Sequence, residues 1–259
     1  YKRQEWDAVP NGVTKEQYQP LDDYLDLSDD IWSDMSDVIE MFKYKDKHYV
    51  VPYCLSDPLL ITYNRSLCEE NGLDDPYELY KKDKWDWDAF MDMMKTFVSN
   101  AKDGETRYGI NGWFGQAMVQ STGETFVKYD GSKFSNNISN PAIEEAEGAM
   151  EEIMSLGLYD PTWYGYLPDD GSTLFFGMAD WALGASNVKA DPNPDYEDDG
   201  FVEENDLMIV PFPKQPGSDE YYLNCNFGAK MLVKNSDKGD AVAAYIKCER
   251  LAAMIDEYK

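Results

Sequence analysis

The run Leu59-Leu60-Ile61-Thr62-Tyr63 carries apolar or weakly polar side chains at successive positions, not at alternate ones. Successive residues of a strand face opposite sides of its sheet, so a run of this kind needs cover on both faces. Bounded by Pro58 and Asn64, it has the length of a strand and not of a buried helix. A sheet covered on both faces is flanked by helices, and the unbroken apolar run points to a mainly parallel one.

The rest of the chain alternates in the same sense. Lys43 to His48 reads as a polar turn that feeds a short strand, Tyr49-Val50-Val51, ended by Pro52. Beyond Asn64 the pattern turns helical until Asn71-Gly72 stops it in the left-handed region. Trp87, Phe90, Met91, Met94, Phe97 and Val98 recur at three and four, with Asp86 placed to cap the first turn. Arg107 to Ile110 is a brief strand, and Asp130-Gly131 marks a hairpin between Phe126 to Tyr129 and Lys133-Phe134. Asn140-Pro141 opens a helix with Ile143, Ala146, Met150, Ile153 and Met154 along one face, stopped by Gly157. Leu207 to Val210 and Gly228 to Val233 are further strands. A last helix begins near Asp237, with Ala241, Ala244, Tyr245, Cys248 and Leu251 on its apolar face. Strands and helices alternate throughout, which is an α/β pattern, and no repeat of solenoid or propeller period interrupts it.

Charge and motifs exclude several functions. With 50 acidic against 23 basic residues and a net charge of -27, the chain is a poor ligand for nucleic acid or an anionic membrane. No apolar run approaches the roughly 20 residues that span a bilayer, and Tyr1 to Asp7 lack the pattern of a signal peptide. Cys54, Cys68, Cys225 and Cys248 are scattered without CxxC spacing or a nearby histidine, so they read as buried thiols with room for one disulfide, not as a zinc site. Asp191, Asn193 and Asp195 have the spacing that opens a calcium loop. Tyr196 stands where that loop needs glycine, however, and the segment 191–200 reads as a solvated acidic loop. No metal or cofactor is expected. His48, the sole histidine, lies among Lys43, Lys45 and Lys47 and reads as exposed. GxSxG, Walker A, GxGxxG and HExxH motifs are absent, so no enzyme is expected. Carboxylates are plentiful, and because a glycosidase pair is defined by a separation that sequence does not carry, a glycoside hydrolase is the enzyme alternative.

The order of short motifs carries more than any one of them. Gln19-Pro20-Leu21-Asp22-Asp23-Tyr24, Val51-Pro52-Tyr53, Ile61-Thr62-Tyr63-Asn64-Arg65-Ser66-Leu67 with Asn71-Gly72-Leu73, and Lys84-Trp85-Asp86-Trp87-Asp88-Ala89-Phe90 come first. Tyr108-Gly109-Ile110, Phe134 to Leu158, Phe176-Gly177-Met178-Ala179 and Ile209-Val210-Pro211-Phe212-Pro213 follow. This series resembles the family 1 extracellular solute-binding proteins, the family that includes the maltose-binding proteins. That family's opening strand-helix-strand unit and its closing helices have no counterpart here, so the resemblance implies a chain truncated at both ends.

The resemblance implies a two-lobed α/β fold of the type II periplasmic-binding-protein class, incomplete in this chain, that captures a solute for an ABC importer. Residues 1–62 and 206–259 would belong to one lobe and 63–205 to the other, with crossings at Tyr63-Asn64 and Val210-Pro211. The expected ligand is a mono- or oligosaccharide; the alternative is a peptide, a polyamine or another small solute in the same fold. The expected partners are the importer's membrane subunits, with a monomeric protein that is periplasmic or held outside the membrane as a lipoprotein by an anchor not present in this chain. By resemblance the ligand-stacking aromatics are Trp181, Trp113 and Phe114, with Trp6 and Asp7 as a further pair. Asp57, in the loop Ser56-Asp57-Pro58, is placed to accept hydroxyl hydrogens, and Asn224 and Asn226 precede a strand that lines the cleft in the family. Trp32, Trp85 and Trp87 are expected to be structural.

Overall fold

The computed structural model describes residues 8–162, 164–165, 167–168, 170–179 and 206–255. Trp6, Asp7, Trp181 and the acidic loop 191–200 lie outside them. In chain order the elements begin with β1 (Tyr18–Gln19), α1 (Ser36–Met41), β2 (Lys43–Tyr44), β3 (Lys47–His48), β4 (Val51–Ser56), β5 (Leu59–Asn64), α2 (Arg65–Glu70) and α3 (Pro76–Lys81). There follow α4 (Trp87–Ser99), β6 (Tyr108–Gly112), α5 (Gly115–Gln120), β7 (Val127–Tyr129), β8 (Phe134–Asn136), α6 (Pro141–Ser155) and β9 (Thr173–Ala179). The last are β10 (Leu207–Pro211), β11 (Asn226–Lys230), β12 (Leu232–Val233) and the helix Gly239–Ala253, here α7. Two compact units are formed, one from Tyr1–Ser56, Val127–Asn136 and Asn226–Lys259, the other from Asp57–Phe126 and Asn137–Cys225.

In the first unit β4 pairs antiparallel with β11, and Leu21, Trp32, Ile39, Val51, Tyr53, Leu232 and Ile246 form its main core. Three sequence expectations are corrected here. Pro52 does not end its strand. It sits inside β4 opposite Ala229, where the register slips by a bulge between Gly228 and Ala229, and a bulge is one of the few places a strand tolerates proline. His48 is 9% exposed, not a surface residue, because Asp22 and Glu40 take its two ring nitrogens at 2.8 and 3.1 Å. Helix α7 buries Gly239, Ala243, Ile246 and Arg250, while Tyr245, Cys248 and Leu251 face outward. The buried stripe includes a charge because each of the three Arg250 nitrogens finds an acceptor, namely the carbonyls of Ile31 and Tyr53 and the carboxylate of Asp34.

In the second unit the strand order is β10-β5-β9-β6. β5 is central and buried as its sequence requires, but it runs antiparallel to both neighbours, and only β6 and β9 are parallel. The sheet is therefore mixed. Cover on both faces needs helices, and it does not dictate strand direction. The expected lobe changes at 62/63 and 205/206 fall inside β5 and just ahead of β10, both of which belong to this sheet.

Helix α4 puts Phe90, Met94 and Phe97 into one core with Ile61, Ile110 and Phe175, and Asp86 caps it by accepting from Ala89 N at 3.0 Å. Helix α6 is capped by Asn140 and buries Ile143, Ala146 and Ile153, whereas Met154 is exposed. Trp85 and Trp87 are buried here, as Trp32 is in the first unit, each as sequence suggested. All four cysteines are free thiols; Cys68 is buried, but Cys248 is exposed on the outer face of α7.

Candidate functional site

Strand register brings several segments to one end of the second unit's sheet. Gly112 lies opposite Gly177, Gly177 opposite Ile61, Leu59 opposite Ala179 and Leu60 opposite Pro211. The carboxyl ends of β6, β9 and β10 and the amino end of β5 therefore meet. Leu59 N donates to Asn224 O at 2.7 Å, which adds the chain ahead of β11 to the same end. Ligands of open α/β sheets bind outside the carboxyl ends of strands, where diverging loops leave a crevice.

Trp113 is the first residue beyond β6, and its direction is set by two glycines. Gly112 has φ +89, and a Cβ there would lie 2.3 Å from Gly177 O. Only a glycine allows that approach, which lets Trp113 N donate to the same carbonyl at 2.6 Å. Trp113 is 52% exposed on this rigid footing. Its neighbour Phe114 turns inward to 6% exposure and packs on Tyr159, with ring centroids 5.3 Å apart. The pair expected to act together is thus divided between surface and core.

Asp57, ahead of β5, adopts φ +49, and Asn224 is 9% exposed with an amide Nδ2 that has no acceptor. Asp57, Trp113 and Asn224 are brought to one end of this sheet. Asn226 instead lies in β11 of the first unit, opposite Ser56. Trp6, Asp7 and Trp181 lie outside the described residues.

Two residues that sequence reading passed over support Trp113 from below. Asn111, buried in β6, donates its amide hydrogens to Asp160 O at 3.2 Å and Thr162 O at 2.6 Å, tying the 160–162 segment to the strand edge. Asp160, equally buried, accepts from Thr162 N at 2.9 Å. An asparagine directly before a glycine in an otherwise apolar strand was the signal available for this arrangement.

One cation near this end is buried and paired. Lys214, three residues beyond β10, is buried and paired with Asp83 at 2.7 Å, with its ammonium 5.2 Å from the centre of the Tyr221 ring. Burial, and then Asp83, push the Tyr221 phenol up to about 12, so it stays neutral. Among the described residues no group of three His, Cys, Asp or Glu side chains is arranged to hold a metal ion.

Against known proteins, the model of the bacterial extracellular solute-binding protein family matches residues 9–248. No curated protein sequence matches the chain significantly. Solved structures share the fold. The sugar-binding protein MalE from the phytopathogen Xanthomonas citri superposes with a TM-score of 0.67 at 15% identity, over 94% of this chain and 59% of its own. The cyclic alpha-maltosyl-1,6-maltose binding protein from Arthrobacter globiformis gives 0.61 at 20%, over 93% and 57%. The galacto-N-biose/lacto-N-biose I-binding protein of an ABC transporter from Bifidobacterium longum gives 0.60 at 14%, over 93% and 57%. The chain spans less than three fifths of the length of each of these proteins. With the family model covering nearly all of it, the chain belongs to the bacterial extracellular solute-binding proteins.

Proposed function

We propose that this chain is part of a capture subunit that binds a mono- or oligosaccharide outside the cytoplasmic membrane and delivers it, as a monomer, to the membrane subunits of an ABC importer. The observation that carries the reading is Trp113, a half-exposed indole clamped by Gly112 and Gly177 at the carboxyl end of a sheet. A sugar presents a flat C–H patch and a rim of hydroxyls. An exposed indole face takes the patch, and a carboxylate and an amide, here Asp57 and Asn224, share hydrogen bonds with the rim. Trp181, two residues beyond β9 in sequence, joins them by resemblance. That the structural relatives are sugar-binding proteins supports the same class. The protein acts by binding and release, not by turnover, and it is either free outside the membrane or lipid-anchored. Among the described residues no helix is long and apolar enough to cross a membrane.

The test is a thermal-shift and calorimetry panel on the full-length protein with glucose, maltose, maltotetraose, lacto-N-biose, amino acids and spermidine. A ligand at a hundred times its Kd raises stability by about 2.7 kcal/mol. Stabilisation by a saccharide, reduced at least tenfold in affinity by Trp113→Ala, is the expected result. A shift with spermidine or amino acids alone overturns the carbohydrate assignment, and hydrolysis of a glycoside overturns the non-enzymatic one.

A further inference from the structure

We propose that Tyr222 is a second aromatic platform of the same sheet end, so that the site takes an extended glycan of several sugar rings; this rests on the carbohydrate reading above. Nothing in the sequence marks Tyr222 out from Tyr221, but the structure treats the two oppositely. Tyr221 turns into the core, its ring edge-on to Tyr80 with centroids 5.0 Å apart and its hydroxyl buried. Tyr222 turns outward and is 43% exposed.

The Tyr222 ring rests on bare backbone. Gly123 has φ +73, and a Cβ there would fall 2.6 Å from two atoms of that ring, Cε2 and Cζ. One side of the ring is thus seated on a glycine while nearly half of the residue stays open to solvent. The segment is also held at both ends, by Tyr221 in the core and by Asn224 O, which accepts from Leu59 N at 2.7 Å. A ring fixed in this way loses little freedom on contact with a ligand, which is what an efficient stacking surface requires.

Distance separates this platform from Trp113. Trp113 precedes α5 and Gly123 follows it; six residues of helix span about 9 Å. One sugar ring does not reach both aromatics, whereas a chain of rings lying along α5 does.

Titration of the full-length protein with glucose, maltose, maltotriose and maltotetraose, and with isomeric gluco- and galacto-oligosaccharides of the same lengths, tests this. Tyr222→Ala is expected to weaken tri- and tetrasaccharides roughly tenfold, within the range of an aromatic contact, while leaving mono- and disaccharides within about twofold. Tyr222→Phe keeps the ring and is expected to restore the long ligands. Equal weakening at every length, or no change at any length while Trp113→Ala still abolishes binding, overturns the second platform and leaves the carbohydrate reading intact. A wild-type protein that binds no saccharide of any length overturns both.

Discussion

The hydroxyl of Tyr63, fully buried in β5, donates to the carboxylate of Asp75, which also accepts from Arg65 Nε at 2.8 Å and caps α3 by accepting from Tyr77 N at 2.9 Å. One carboxylate thus closes a strand, a helix start and a cation together. Asp75→Ala removes a cap and leaves a buried phenol without its acceptor, so a loss of roughly 2–4 kcal/mol is expected, read as a lowered midpoint in urea.

Acid should weaken the same network. Burial pushes the Asp75 carboxyl up, but the bonds from Tyr63, Tyr77 N and Arg65 outweigh it and hold it below its ordinary value. For Asp22, burial is likewise outweighed by the side-chain and backbone bonds from His48. A carboxyl lowered by folding contributes stability that is complete above its unfolded value, about pH 4, and is lost as pH falls through the folded one. Wild-type stability is therefore expected to decline below about pH 4. Asp22→Asn and Asp75→Asn should each start lower and decline less; an unchanged acid limb in both would refute the linkage.

His48 offers a direct spectroscopic check. Its Nδ1 lies 2.8 Å from an Asp22 carboxylate oxygen and its Nε2 3.1 Å from a Glu40 one. As the sole histidine it gives an unambiguous NMR signal. Ring resonances that move in both Asp22→Asn and Glu40→Gln are expected, and resonances unmoved by either substitution would show that the arrangement is not kept in solution.

Gly112 and Gly131 share positive φ, +89 and +91, but differ in surroundings. A Cβ at Gly131 meets nothing, so Gly131→Ala should cost only the backbone term, about 1 kcal/mol. At Gly112 a Cβ collides with a backbone carbonyl, and Gly112→Ala should cost clearly more and change Trp113 fluorescence. Equal denaturation midpoints for the two variants would mean that the Gly177 contact does not hold Trp113.

Arg250 uses its planar fork, with Nε on Ile31 O at 2.7 Å, Nη1 on Tyr53 O at 3.3 Å and Nη2 on Asp34. A lysine carries the charge without that geometry. Arg250→Lys is expected to recover less than half of the roughly 3 kcal/mol lost in Arg250→Ala, measured by denaturant unfolding.

The features legible in the sequence are those whose partners are near in the chain. Asp86 caps α4 through a residue three positions on, Asn140 caps α6 through one two positions on, and the Asp130-Gly131 turn closes its hairpin. The apolar continuity of Leu59 to Tyr63 likewise determined that β5 would be buried, because side-chain alternation is a local property of a strand. What lay out of reach depends on groups far apart. Helix α2 has no cap of its own at Asn64 and is capped by Asp206, 140 positions away, which takes Ser66 N at 2.6 Å. Likewise the antiparallel neighbours of β5, the burial of His48 and Arg250, and the outward Trp113 beside the inward Phe114 arise only when distant segments meet. A polar side chain is buried where its hydrogen bonds are replaced, and only the tertiary structure decides where the replacements stand.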